Sequence, residues 1–176
     1  MSNWLEKVVP LNVKLSTSET YSYTNKHYIL PYLGNEQLRD INPGIIDKFM
    51  RELTLQGLAK NTLSGIHSLL SHALDYAVYP AQIIASNPAK YIKVSKKAPT
   101  NVVKRTIITQ ERFNELLTKY PFGSSMYIPL LLLYHTGMRI SEVCGLTWNN
   151  IDLDNKIICL NLQVVYIEDK GDCFAT

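Results

Sequence analysis

The sequence predicts a mainly α protein: a small N-terminal domain of four helices, then an incomplete α+β domain. Three observations carry that expectation. Apolar residues recur at i, i+3 and i+4 through residues 44–57 and again through 62–79, the period of a helix with one buried face. A lysine-rich stretch without acids, interrupted by Pro99 and Thr100, follows at residues 90–105 and reads as a connection between two folded parts. Only over residues 156–167, KIICLNLQVVYI, does the composition turn β-branched and aliphatic, which suits a strand. The expected division is a helical domain over 1–89, a basic linker over 90–107 and a second domain over 108–176.

Trp4 to Val9 makes a short lead-in helix. Ser16 and Glu19 have the spacing of a capping box and open a helix to about Leu30. Tyr21, Tyr28 and Ile29 face inward on it, and Ser22, Asn25 and Lys26 face out. Pro43 stands where a helix start tolerates proline, and Ile45, Ile46, Phe49, Met50 and Leu53 form the stripe that follows. Gly57 ends that helix. Asn61 or Thr62 opens another, to about Tyr79, burying Leu63, Ile66, Leu70, Ala73, Leu74 and Ala77. Its opposite face carries Lys60, Ser64, His67, Ser68 and Ser71, with no acid before Asp75. Such a face can approach phosphates and base edges without charge repulsion; an ordinary solvated face would look the same. Asn87-Pro88 closes a short fourth segment. Thr109 caps a helix to about Tyr120. After the strand, residues 169–172 read as a turn and residues 173–175 begin a return strand.

The balance of 18 Lys+Arg against 15 Asp+Glu gives a net charge of +3. That permits nucleic-acid binding without demanding it. Cys144, Cys159 and Cys173 have no metal-type spacing and read as reduced thiols of a cytoplasmic protein. His67 and His72 read as surface histidines and not as a metal-ligand set, so no metal and no cofactor is expected. No stretch reaches membrane-spanning length, and the opening MSNWLEKVV has an acid and no long apolar core, so no signal peptide is expected.

The most informative stretch is Tyr127–Leu146, YIPLLLLYHTGMRISEVCGL. Ile128 to Tyr134 is apolar on all sides, which places its helix inside a core. Pro129 fits its first turn and Gly137 its left-handed end. A second short helix starts near Met138–Ile140, so Arg139 stands at a helix N-terminus, where a cation opposes the dipole. An arginine held there implies an acid partner, an anionic ligand, or both. Glu142, three residues on, shares its helical face. A guanidinium meets phosphate in a two-pronged geometry that lysine cannot copy.

Thr136-Gly137, Arg139, Ser141-Glu142, Leu146, Trp148, Ile151 and Asp152 resemble the first conserved box of the tyrosine recombinases, the phage-integrase family. The order of elements before it, from Thr20 and the His27–Gly34 run through Leu38-x-x-Ile41 and the Thr62-Leu63 helix to Asn87-Pro88, resembles that family's SAM-like core-binding domain. The resemblance implies DNA strand cleavage and rejoining: a tyrosine hydroxyl attacks a phosphodiester, forms a 3′-phosphotyrosyl link and is displaced by a DNA 5′-hydroxyl, with neither metal nor nucleotide. Arg139 would bind the phosphate in the transition state and Glu142 would support it. Double-stranded DNA is the implied partner, with self-association on DNA in the complete protein. Carried over by position, Ser22, Asn25, Lys26, Asn61, Ser64, His67 and Ser68 are the implied groove contacts, and Lys93, Lys96, Lys97, Lys104 and Arg105 the implied backbone contacts. The family's hairpin lysine, His-x-x-Arg element and nucleophilic tyrosine are not placed among these residues: none of the 11 tyrosines follows a His-x-x-Arg. The 176-residue chain alone is therefore expected to bind DNA without completing strand exchange. Two other readings stay open: a non-catalytic DNA-binding regulator derived from a recombinase, and a helical interaction module unrelated to DNA, which leaves the Thr136–Asp152 pattern to chance.

Overall fold

A computed structural model describes residues 2–100, 105–167 and 171–175. The chain forms two compact units, Met1–Val103 and Lys104–Thr176.

The first unit is helical. Helices α1 (Ser2–Lys7) and α2 (Val9–Asn12) lead into α3 (Leu15–Thr24), which passes through a π turn at Asn25–Ile29 into α4 (Leu30–Leu33). Helix α3 begins one residue ahead of the expected cap, so Ser16 lies within its first turn, where its carbonyl accepts from the Thr20 hydroxyl. The structure corrects one face assignment. Asn25 stands four residues from both Tyr21 and Ile29, and it joins Ile29 and Leu33 on the buried side. Asn25, expected to face out, is 5% exposed.

Helix α5 (Pro43–Leu55) starts as the sequence implies. Asn42 precedes Pro43, and its side-chain carbonyl accepts from the Ile45 N–H at 3.2 Å. That hydrogen bond satisfies a donor with no partner inside the helix. Ile46, Phe49, Met50 and Leu53 form its buried stripe. Gly57 follows with φ +82°, a conformation that suits glycine. Helix α6 (Lys60–Val78) buries Leu63, Ile66, Leu69, Leu70, Leu74 and Ala77 against that stripe. The segment before Asn87-Pro88 is a run of turns.

The basic segment after it is not a loose tether. Ala89 and Ala98 are fully enclosed by the core, and Ile92 and Val94 pack against it. The Lys60 N–H donates to the Pro99 carbonyl at 2.8 Å. The first unit thus extends beyond residue 89.

In the second unit, α7 (Gln110–Lys119) is capped by the Thr109 hydroxyl, which accepts from the Arg112 N–H at 3.5 Å. Its Phe113 stacks on Tyr134 of α8 (Tyr127–Thr136), with ring centroids 3.8 Å apart. The Tyr134 hydroxyl donates to Gln110 Oε1 at 3.1 Å. The all-apolar helix α8 departs from expectation. Its contacts come mainly from α7 and α9, so none of its residues is fully buried and Ile128 is 54% exposed. Helix α9 (Ile140–Cys144) is followed by a 3₁₀ turn at Trp148–Asn150.

The single strand expected over 156–167 is two. β1 (Ile151–Asp152) pairs antiparallel with β2 (Ile157–Ile158), and β3 (Gln163–Ile167) pairs antiparallel with β4 (Gly171–Ala175). Asn150 accepts from the Cys159 N–H at 2.8 Å, one step further along the β1–β2 register, and β3 begins only after Leu162, where the chain passes Gly145. Residues 171 and 172, expected in a turn, belong to β4.

Gly145 is where α9 meets β3. A β-carbon there would stand 2.9 Å from the Leu162 carbonyl oxygen and 3.0 Å from Gln163 Cα. Gly145→Ala should therefore lower the thermal midpoint, at a cost of about 1–3 kcal/mol for overpacking. Gly65→Ala, in α6 with open space around it, should raise the midpoint, because alanine is the better helix former by about 0.5–1 kcal/mol. Equal midpoints for the two variants would remove the close approach as the reason for glycine at 145.

Candidate functional site

The site is built at the junction of two helices. Helix α8 ends at Gly137 with φ +70° and ψ +15°, and its N–H closes onto the Leu133 carbonyl at 3.2 Å. The Thr136 hydroxyl donates back to the Leu132 carbonyl and accepts from the Met138 N–H. Met138 is buried. These contacts fix the turn that delivers Arg139 as the N-cap of α9, with extended backbone angles (φ −77°, ψ 152°).

Glu142 then holds Arg139 twice. One carboxylate oxygen accepts from the Arg139 N–H at 2.8 Å, and the other from the guanidinium Nη1 at 3.0 Å. The first contact supplies an acceptor to the start of α9 in place of a Ser or Asp cap, and the carboxylate favours the positive end of the helix. The second aims the guanidinium. The two side chains differ in exposure: Glu142 is 18% exposed and Arg139 81%. One Nη is committed to the carboxylate, while the remaining N–H groups of the fork face solvent. An exposed Arg–carboxylate pair contributes little to stability. Its geometry is instead suited to an anion arriving from outside.

The hydrogen bond from the Arg139 backbone, then that from its guanidinium, holds the Glu142 carboxyl below the ordinary glutamate range. A carboxylate depressed in the folded state contributes stability that is fully present above its unfolded pKa and is lost as pH falls through the folded value. The start of α9 should therefore loosen only in acid, below the usual carboxylate range. The protection factor of the Arg139 amide, its exchange divided out by the intrinsic rate at each pH, is expected to fall there, and Glu142→Gln should remove that fall. A protection factor in the parent protein that stays constant through the acid range would contradict it.

Of the groove candidates, Ser22 on α3 and Lys26 in the π turn are exposed, as are Asn61, Ser64 and Ser68 along one side of α6. Asn25 is not available: it is buried, and its Oδ1 has no hydrogen-bond partner among the described residues. His67 is half-buried, with Nε2 3.1 Å from the Ala89 carbonyl. Because a carbonyl only accepts, that nitrogen carries the proton. Lys93, Lys96, Lys97 and Arg105 are exposed, whereas Lys104 lies outside the described residues. Sequence reasoning passed over Tyr23 and His27, whose rings lie 4.2 Å apart beside Lys26. Their i, i+4 spacing was the available signal. It also passed over the bonds made by Asn87. Among the described residues, no group of three or more His, Cys, Asp or Glu side chains is placed to hold a metal, and no helix is long and apolar enough to cross a membrane.

Residues 86–170 match the phage integrase family, and residues 1–54 match the N-terminal SAM-like domain of phage integrases. A tyrosine recombinase XerC-like protein of Caldanaerobacter subterraneus subsp. tengcongensis is 26% identical over 186 residues, an alignment covering 98% of this chain and 45% of that protein. The fold is shared with the Tn1549 transposon integrase solved in complex with circular intermediate DNA, at a TM-score of 0.74 and 20% identity, covering 99% of this chain and 56% of that one. It is also shared with lambda integrase, solved as a tetramer bound to a Holliday junction, at a TM-score of 0.68 and 18% identity, covering 98% of this chain and 48% of that one. The chain belongs to the tyrosine recombinase, or phage integrase, family: a mainly helical SAM-like domain joined to part of a catalytic domain. It spans about half the length of the relatives it matches.

Proposed function

We propose that this chain is the DNA-binding and phosphate-binding portion of a site-specific recombinase that cuts and rejoins duplex DNA through a 3′-phosphotyrosine. The observation that carries the reading is the Arg139–Glu142 pair, a guanidinium fixed by a carboxylate at a helix start and still open to an external anion. In phosphoryl transfer the developing charge falls on the non-bridging oxygens, and a preorganised donor stabilises it without reorganising. Arg139 is the phosphate-binding residue in this reading, and Glu142 positions it. The exposed residues of α3, α6 and the basic segment meet groove edges and phosphates. The two solved relatives, both bound to DNA, support duplex DNA as the partner. The lambda integrase tetramer supports self-association on it. A cytoplasmic setting and chemistry without metal follow from the same family mechanism.

Fluorescence anisotropy with labelled duplex DNA tests the binding half. Log K should fall linearly with log salt, by about 0.9 for each phosphate neutralised. Absence of salt-sensitive binding to duplex DNA would overturn the reading and leave a helical module unrelated to DNA.

A further inference from the structure

We propose that residues 87–99 are a fixed basic strap rather than a flexible connection, and that Asn87 and His67 are positioning residues that set its lysines for a phosphate backbone. The proposal rests on the DNA-binding reading above and deepens it. Two of its parts were visible separately in the sequence, a polar face on α6 and a lysine block without acids. The structure joins them.

The latch lies along α6. Asn87 Nδ2 faces three acceptors there: the Ser71 carbonyl at 3.1 Å, the Ser71 hydroxyl at 3.0 Å and Asp75 Oδ1 at 2.8 Å. Its Oδ1 accepts from the Ala89 N–H at 2.8 Å, which leaves one consistent orientation for the amide. One helical turn earlier, His67 Nε2 donates to the Ala89 carbonyl. His67, Ser71 and Asp75 stand at i, i+4 and i+8, a single line along the helix. Both backbone groups of Ala89 are thus tied to α6, directly or through Asn87, and the Ala89 side chain is wholly buried.

The far end is tied as well. Pro99 accepts from the Lys60 N–H at the start of α6, and Ala98 is 4% exposed. Between these ends Ile92 and Val94 turn inward, while Lys93, Lys96 and Lys97 are exposed. The strap runs beside the face that carries Asn61, Ser64 and Ser68. Lysines on an ordered backbone meet a phosphate row without first losing the entropy of a loose chain, and preorganisation of that kind is what raises affinity. Asn87 touches no phosphate in this scheme. It acts through the lysines.

The test uses the 176-residue chain and a labelled duplex, with affinity measured across a salt series. Lys93→Ala/Lys96→Ala/Lys97→Ala together should flatten the salt slope by about 0.9 for each lysine that meets a phosphate. Asn87→Ala should weaken binding by about three- to tenfold, within the ordinary range of a lost hydrogen-bonding side chain. Added to the triple lysine variant it should cost nothing further, because its effect passes through the lysines. His67→Gln, which keeps a donor, should bind like the parent, and His67→Ala should behave like Asn87→Ala. Amide exchange at Lys60 and Ala89 reports the strap directly: slow in the parent chain, fast in Asn87→Ala, with core amides of α5 unchanged in both. An unchanged slope in the triple variant, a fully additive loss from Asn87→Ala, or fast exchange at Lys60 in the parent chain overturns the strap while leaving the recombinase reading in place. Absence of salt-dependent binding by the parent chain overturns the DNA reading and the strap's role with it.

Discussion

On the proposed function, Arg139→Ala in a cleavage-competent form of the protein is expected to lower the rate of DNA cleavage by about 10²–10³, the usual cost of removing one preorganised transition-state donor. Affinity for the duplex should stay within a few fold. The split follows from the geometry. Arg139 is one exposed cation among many basic side chains, so its share of ground-state binding is small. A loss confined to the chemical step marks an interaction made in the transition state. Single-turnover cleavage measured beside equilibrium binding separates the two. Arg139→Lys should recover only part of the rate, because a lysine offers a point charge where the guanidinium offers a fork partly braced by Glu142. A variant that loses binding and cleavage in equal proportion would return Arg139 to an ordinary surface contact.

The second large effect concerns stability. Leu53→Ala in α5, or Leu63→Ala in α6, should destabilise the first unit by about 2–5 kcal/mol, through lost transfer free energy and the cavity left behind. Both leucines are 0% exposed. They belong to the facing stripes that close the helical unit, with Ile46, Phe49 and Ile66 around them. A marginal domain can lose most of its stability to one such change. Leu55→Ala is the matched control: Leu55 is on the same helix and 87% exposed, and its loss should be within about 0.5 kcal/mol. Urea unfolding of the three variants decides the matter, with comparable midpoints as the contrary result.

Much of the fold was legible because local signals agreed. In α5, Pro43, the periodic stripe and Gly57 point to one helix, and the bounds Pro43–Leu55 follow from them. At the site, Gly137 and the Arg-x-x-Glu spacing were enough to place a left-handed helix end, an N-cap and its carboxylate partner. What stayed hidden depends on contacts between distant residues. Asn25 reads as outward because it is polar, although it stands four residues from both Tyr21 and Ile29. The 90–107 segment reads as a tether because it is rich in lysine, has no acid and is interrupted by Pro99 and Thr100. The ordering of residues 89–99 comes instead from Asn87, His67 and two buried alanines, whose roles appear only once α6 is beside them. The division of the 156–167 strand likewise depends on partners outside it, since β2 pairs with β1 and β3 with β4.

The most direct test of the central claim removes the charge from the phosphate instead of the arginine. A duplex bearing the protein's own site is made with a methylphosphonate at the scissile position, so that one non-bridging oxygen becomes a methyl group. The covalent protein–DNA adduct is then quantified for the cleavage-competent parent protein and its Arg139→Ala variant. If Arg139 exists to neutralise that phosphate, the variant that fails on normal DNA should recover adduct formation on the neutral linkage. A variant that stays inactive on both substrates would contradict phosphate binding as the role of Arg139 and make it a structural partner of Glu142.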